Sequence, residues 1–366
     1  MTDFPGRSPS FFSQTRGAFR AAALPLFGAL AFLAGCSDDP TGPVELRGEV
    51  AVVVNSIENS LTVVSTSDPG RAFTIGLGSA NASAVGMAVR GSIVVVPLGR
   101  YPFAAVVDLD ARAVVHTVAL PEGSGATGVA FLNDSIALIA NPNLNSVTPL
   151  NVLRGTTGDQ IPVGVYPQSI MEHSGRAYVS NGNLDTSSGL LPPAGPGSLS
   201  VIDNTLTVIS TIALSGENTG SSVVGGDGKL YVLNTGNWDE PSGSISVVNL
   251  QTLQEEDHFT GFGWGPDSMT LLPGGLFRIS GYAFGILEWN YLTRRFTRGL
   301  DNPIADAAIR PVGSVGTDLS GRNWVTNSGN CAESGKLFRL SSSGSVEAEA
   351  RVGICPAGLA FTVLGR

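Results

Sequence analysis

The chain has 366 residues, a formal net charge of −9, 47 glycines, and 14% charged against 42% hydrophobic residues. An acidic chain without a basic patch disfavours nucleic acid as a partner. The apolar content is enough to bury a core, and abundant glycine with sparse charge favours many short strands and tight turns over helices.

The first element is a targeting segment. Arg16 and Arg20 end a positive region, and the apolar stretch 21–33 that follows is too short to span a bilayer stably. It closes on Leu33-Ala34-Gly35-Cys36, which resembles the lipobox of bacterial lipoproteins. The resemblance implies that residues 1–35 are a signal peptide and that acylated Cys36 inserts into a lipid bilayer. Two or three acyl chains anchor stably where one does not. Ser37 instead of Asp after the cysteine favours the outer membrane, by analogy with enterobacterial sorting. Residues 1–35 carry three arginines and one aspartate, so the remainder is more acidic still. Residues 36–46 are polar and acidic with two prolines and read as an extended tether.

From residue 47 onward the sequence repeats. A small residue followed by apolar positions recurs at Gly86, Gly128, Ser169, Ser222, Ser268, Ser314 and Gly358. Pro167, Pro266, Pro311 and Pro356 precede four of these. Each copy continues into a tight turn such as Ser174-Gly175, Asp227-Gly228 or Ser320-Gly321. An apolar strand follows and commonly ends in asparagine, at Asn55, Asn141, Asn181, Asn234 and Asn327, with Pro97 and Ser280 in the remaining two copies. A third and a weaker fourth strand complete each unit.

Four strands in every 40–50 residues predict an all-β chain of propeller blades. The stretch Tyr178-Val179-Ser180-Asn181 resembles the YVTN repeat family of seven-bladed propellers, and the likeness extends over residues 47–366. Phase supplies the closure. The repeat begins at a second strand (49–55) and ends on an additional first strand (358–363), so the C-terminal strand must complete blade 1. Such a ring leaves only short, protected edges and is expected to be a monomer.

In a four-stranded meander the loops between second and third strands share one face, the top, with the connections between blades. The top loops are long and irregular, whereas the bottom turns are tight. The blade 5 and blade 7 loops share an Asn-x-Gly-Asn pattern that closes on Ser-Gly, at 234–243 and 327–335. The strand-ending asparagines read as turn formers that bond nearby backbone. Asn183, Asn237 and Asn330, with Asp185, Asp239 and Glu333, are candidate acceptors for a sugar or a hard cation. Trp238, Trp264, Tyr282 and Phe284 fall in top loops and are candidates to stack on a sugar or planar ligand. Nine of the chain's aromatic residues lie between Phe259 and Phe296, so filling of gaps between blades competes with that reading.

The histidines disfavour several enzymes. His116 and His258 fall in fourth strands and His173 at a bottom turn, so no Ser-His-Asp set forms on the top face. A streptogramin-lyase-like propeller, which needs a catalytic histidine, is disfavoured for the same reason. The glycine–tryptophan blade ends of quinone-type repeats are absent. A lactonase-like propeller holds a metal with carboxylates and asparagines in the channel, where this chain offers only Asp267 and Asp318. Cys331 and Cys355 fall on one face of neighbouring segments and are expected to form a disulfide, which an extracytoplasmic location permits. Together these features predict a lipid-anchored binding or scaffold module that meets a protein, glycan or small molecule on its top face, with no cofactor and no catalytic residue. The alternative is an extracytoplasmic enzyme of lactonase-like or oxidoreductase-like type.

Overall fold

The computed structural model describes residues 44–79 and 82–365. The expected signal peptide, Cys36 and the expected tether up to residue 43 lie outside the described residues. The rest is a seven-bladed β-propeller of antiparallel, meandering sheets. The innermost strands of blades 1 to 7 are Pro356–Leu364, Ala88–Arg90, Val129–Phe131, Pro167–His173, Thr219–Val224, Pro266–Leu272 and Val312–Thr317. Each neighbours the next around a central channel, and the seventh returns to the first.

Closure follows the phase of the repeat. The last strand pairs antiparallel with Gly48–Asn55, from Glu49↔Val363 to Val54↔Gly358. Second and third strands are apolar on both faces because blades cover both sides: Val50 to Val54 are fully buried. Outer strands such as Gln254–Thr260 alternate between exposed and half-buried, because one face of each meets solvent.

The small-residue marker has a steric cause. A Cβ on Gly86 would sit 2.7 Å from the carbonyl oxygen of Thr127, and one on Gly128 would sit 2.5 Å from that of Gln168. Adjacent inner strands come too close at the channel for a side chain there. Where the marker is serine, its hydroxyl stitches the ring instead. Ser268 Oγ accepts from Val315 N at 2.9 Å, and Ser314 Oγ donates to the Ala357 carbonyl at 2.7 Å. In blade 5 the equivalent stitch, from Met269 N, ends on Ser221 Oγ and not on Ser222. The sequence register for that blade is therefore one residue late. Ser221 and Ser222 are adjacent, and this strand opens on Thr219 where those of blades 4 and 6 open on proline, so the sequence does not choose between the two serines.

The strand-ending asparagines are structural, but by a different route from the one expected. Their side chains bond hydroxyls of the third strand. Asn55 Nδ2 donates to Ser60 and Thr62, Asn141 to Ser146 and Thr148, and Asn234 to Ser244 and Ser246, at 2.8–3.2 Å. Asn181 bonds Ser198 and Ser200 likewise. A glycine brought in from the preceding blade packs against three of these amides: Gly353 on Asn55, Gly164 on Asn181, Gly216 on Asn234. In blade 7 Asn327 turns outward to the carbonyls of Ala308 and Arg310, because Lys336 and Phe338, at the positions of the two hydroxyls, offer none.

Two blades depart from the pattern for visible reasons. In blade 3, Pro149 occupies the third strand and has no N–H to donate, so the outer strand breaks into Thr156–Thr157 and Ile161–Pro162. In blade 6, where the asparagine is missing, Arg278 and Glu288 form a buried ion pair at 2.7 Å, and Arg278 also donates to the Ser342 carbonyl of blade 7.

The N-terminal end of the described chain is pinned at the lower edge. Leu46 is buried, and Arg112 and Arg71 donate to the carbonyls of Val44 and Glu45. Arg112 also lies over the Phe73 ring at 4.4 Å. Val44 to Leu46, the last residues of the expected tether, thus dock on the propeller.

Candidate functional site

The channel opens on the top face as a cavity of about 790 Å³ lined by residues of all seven inner strands. Its collar takes one residue from each blade: Ala357, Val85, Thr127, Gln168, Gly220, Asp267 and Gly313. Register shifts in the inner strands of blades 4 to 7 place these residues on bulges that turn them to the channel. Met87, Met269, Val315 and Leu359 line the cavity further down the inner strands.

The collar is almost without charge. Asp267 is the single charged side chain lining the cavity. Its side chain is exposed to channel water, while the inner strands around the mouth partly desolvate the carboxyl and push it above the usual carboxylate range. The neighbouring polar groups bond elsewhere. Thr127 Oγ1 donates to the Gln168 carbonyl, Ser268 Oγ accepts from Val315 N and pairs with Ser280 Oγ, Ser221 Oγ accepts from Met269 N while keeping its own proton, and the Gln168 amide bonds Asn218 Oδ1 at 2.8 Å. Asp267 is left without a hydrogen-bond or ionic partner among the described residues.

Aromatic rings frame the mouth. Trp238 and Tyr282 line it with 52% and 73% of their surface exposed. Trp238 rests 3.8 Å from the position a Cβ would take on Gly265, two residues before Asp267. Asn237 presents Trp238 by capping its turn: Oδ1 accepts from Asp239 N and Glu240 N, and Ser242 Oγ accepts from Asn237 N. Tyr166, half-buried, is a third lining ring, and burial raises its hydroxyl's pKa. Sequence reasoning missed Tyr166. The residue preceding proline at the start of an inner strand turns left-handed onto the rim, as at Tyr166, Gly265 and Cys355 (φ 56°, 53° and 60°).

The other expected site residues do not converge on this cavity. Asn183 bonds the Pro196 carbonyl, Asp185 accepts from Ser187 N at 2.8 Å, and Asn330 accepts from Ala332 N. These are local turn contacts, and the Ser187 bond holds Asp185 below the usual carboxylate range. Asp239 and Glu333 are exposed on their loops. No three His, Cys, Asp or Glu side chains among the described residues gather in metal-ligating geometry. Trp264 is 44% exposed but does not line the cavity. Phe284 is buried against Gly281 and Gly263, inside the aromatic core of Tyr231, Phe262, Phe277, Trp289 and Tyr291 between blades 5 and 6. Most of the aromatic cluster is therefore packing. Asp318 is structural as well: it accepts from Arg322 Nε at 2.7 Å and Trp324 Nε1 at 2.9 Å.

Cys331 and Cys355 are bonded, with Cα atoms 4.5 Å apart. The bond ties the top loop of blade 7 to the start of the closing strand, and it suits an oxidising, extracytoplasmic compartment. Among the described residues no helix is long and apolar enough to cross a membrane.

No family model matches the chain, and no curated protein matches it. Solved structures do. A quinonprotein alcohol dehydrogenase-like protein from Bacteroides thetaiotaomicron superposes with a TM-score of 0.62 at 13% identity, over 85% of this chain and 78% of that one. The dihydro-heme d1 dehydrogenase NirN, in complex with DHE, gives 0.57 at 16% identity over 87% and 75%. Hydrazine synthase from Kuenenia stuttgartiensis gives 0.57 at 13% over 75% and 88%. At these identities the likeness establishes a shared propeller fold.

Proposed function

We propose that this chain is a lipid-anchored recognition module of the YVTN repeat type, which binds a small ligand at the top mouth of its channel. The observation that carries this reading is the cavity itself. Its volume is that of a small-molecule site, its rim is aromatic, and hydroxyls, one amide and one carboxylate supply its polar groups. The lipobox at Leu33-Ala34-Gly35-Cys36 supports an acylated N-terminus, and Ser37 favours the outer membrane. Gly48 and Leu364 pair at the bottom, so the described chain enters the propeller on the face opposite the mouth.

Two of the structural neighbours are named as enzymes and one as dehydrogenase-like, which keeps an extracytoplasmic enzyme as the second reading. On that reading Asp267 is the one lining carboxylate available as an acid or base. No histidine or second carboxylate lines the cavity to act with it.

Native mass spectrometry of detergent-extracted protein tests both parts of the proposal. The polypeptide is expected to begin at an acylated Cys36 and to carry a non-covalent adduct that Trp238→Ala loses. An unmodified N-terminus elsewhere removes the anchor. A ligand whose retention ignores Trp238→Ala removes the mouth as its site.

A further inference from the structure

The collar is asymmetric in a way that specifies a ligand charge. Around the ring Asp267 is flanked by Gly220 of blade 5 and Gly313 of blade 7, neither of which carries a side chain. The carboxylate therefore stands in an open notch. Of the serines beside it, Ser314 donates to the Ala357 carbonyl and Ser221 and Ser268 accept backbone N–H groups, and none of them bonds the carboxylate. The other titratable groups lining the cavity are Tyr166 and Tyr282. Arg310, at the rim, is not a lining residue and donates to the Ala283 carbonyl. Among the described residues no Lys or Arg lines the cavity with Asp267.

We propose that the mouth binds a small organic ammonium cation, its charge held at Asp267 and its apolar body against Trp238 and Tyr282. This rests on the mouth being a recognition site and adds the chemical class of its ligand. An ammonium supplies the N–H donors that the unpaired carboxylate lacks among the described residues, and a charge-assisted bond outweighs a neutral one. Aromatic faces attract the same charge and pack the body that carries it. A phosphate or carboxylate ligand meets the opposite situation, since the lining offers no Lys or Arg.

Protonation provides a second readout. Asp267 holds its proton to higher pH than an ordinary carboxyl, and an ammonium needs the ionised form. Ammonium binding then strengthens as pH rises through that elevated pKa, and below it each cation bound releases a proton.

Titration calorimetry of the full-length protein with benzylammonium and phenethylammonium, against phenethyl alcohol as the neutral control, tests the proposal. The ammonium probes are expected to saturate one site at least tenfold more tightly than the alcohol. Asp267→Asn should abolish that preference while circular dichroism stays unchanged. Heats measured in two buffers of different ionisation enthalpy should reveal proton release at low pH. Equal binding of ammonium and alcohol, undiminished ammonium binding by Asp267→Asn, or no ammonium binding at all overturns the proposal. The alcohol separates the two failures. If it binds and Trp238→Ala removes it, the mouth is a recognition site and the charge assignment alone is wrong. If no probe binds and nothing co-purifies, both readings fall.

Discussion

Single side chains divide here into those that close the fold and one that costs it. Asp267 belongs to the second kind. Its carboxyl is raised in the folded chain, so between the unfolded and folded pKa values the native state binds more protons, and stability falls as pH rises through that window. Asp267→Asn should therefore raise the melting temperature at neutral pH, with the gain disappearing in acid where the wild-type carboxyl is protonated in both states. Equal melting of the two proteins at neutral pH counts against a strained carboxylate. Glu288 behaves oppositely. Removing it by Glu288→Ala leaves Arg278 buried without its charge partner, and the expected loss is about 3–5 kcal/mol in denaturant unfolding. Neither role was visible from composition. Arg278 sits in a strand that lacks the repeat's asparagine, and only the register shows that Glu288 lies opposite it.

The asparagine, its two hydroxyl partners and the glycine laid over it form a unit that recurs in blades 1, 4 and 5. Gly216→Ala tests the unit from its least visible member. A Cβ there would fall 2.0 Å from Asn234 Nδ2, so the amide has to move off Ser244 and Ser246. An overpacking cost of about 1–3 kcal/mol is expected, read as a lowered denaturation midpoint. The disulfide makes a second prediction. It closes a 24-residue separation, worth about 3.5 kcal/mol by chain entropy. Reduction, or Cys355→Ala, should increase hydrogen exchange in blades 1 and 7 before the others, and uniform loss of protection would contradict the closure. At this scale the sequence was most legible. Strand period, turns and the count of inner strands led to seven blades and the closing pair, because each depends on local pattern. Blade 5 was misregistered by one residue, since Ser221 and Ser222 stand side by side and no proline fixes the start of the strand. Phe284 and Trp264 were placed by phase alone, which fixes the face of a loop but not which of its residues turns inward. The asparagine and acid candidates shared a face and were taken to converge, but their short side chains are spent on turns of their own loops.

For the molecule as a whole, the ring has one seam. Gly48 and Leu364 pair side by side at the bottom, so the two ends of the propeller leave from neighbouring points. Pulling on those ends loads the closing hydrogen bonds one after another, as in a zipper, and not in parallel. Peeling starts at Leu364, runs upward along the strand, and stops at Cys355, which is held to Cys331 across the top. Single-molecule extension should therefore begin at low force with the closing strand. It should then withhold the contour length of the 24-residue span behind the disulfide, about 80 Å, until a reductant is added. The propeller behaves under load as a latch with a catch: weak where its ends meet, and covalently stopped nine residues later, where the closing strand begins.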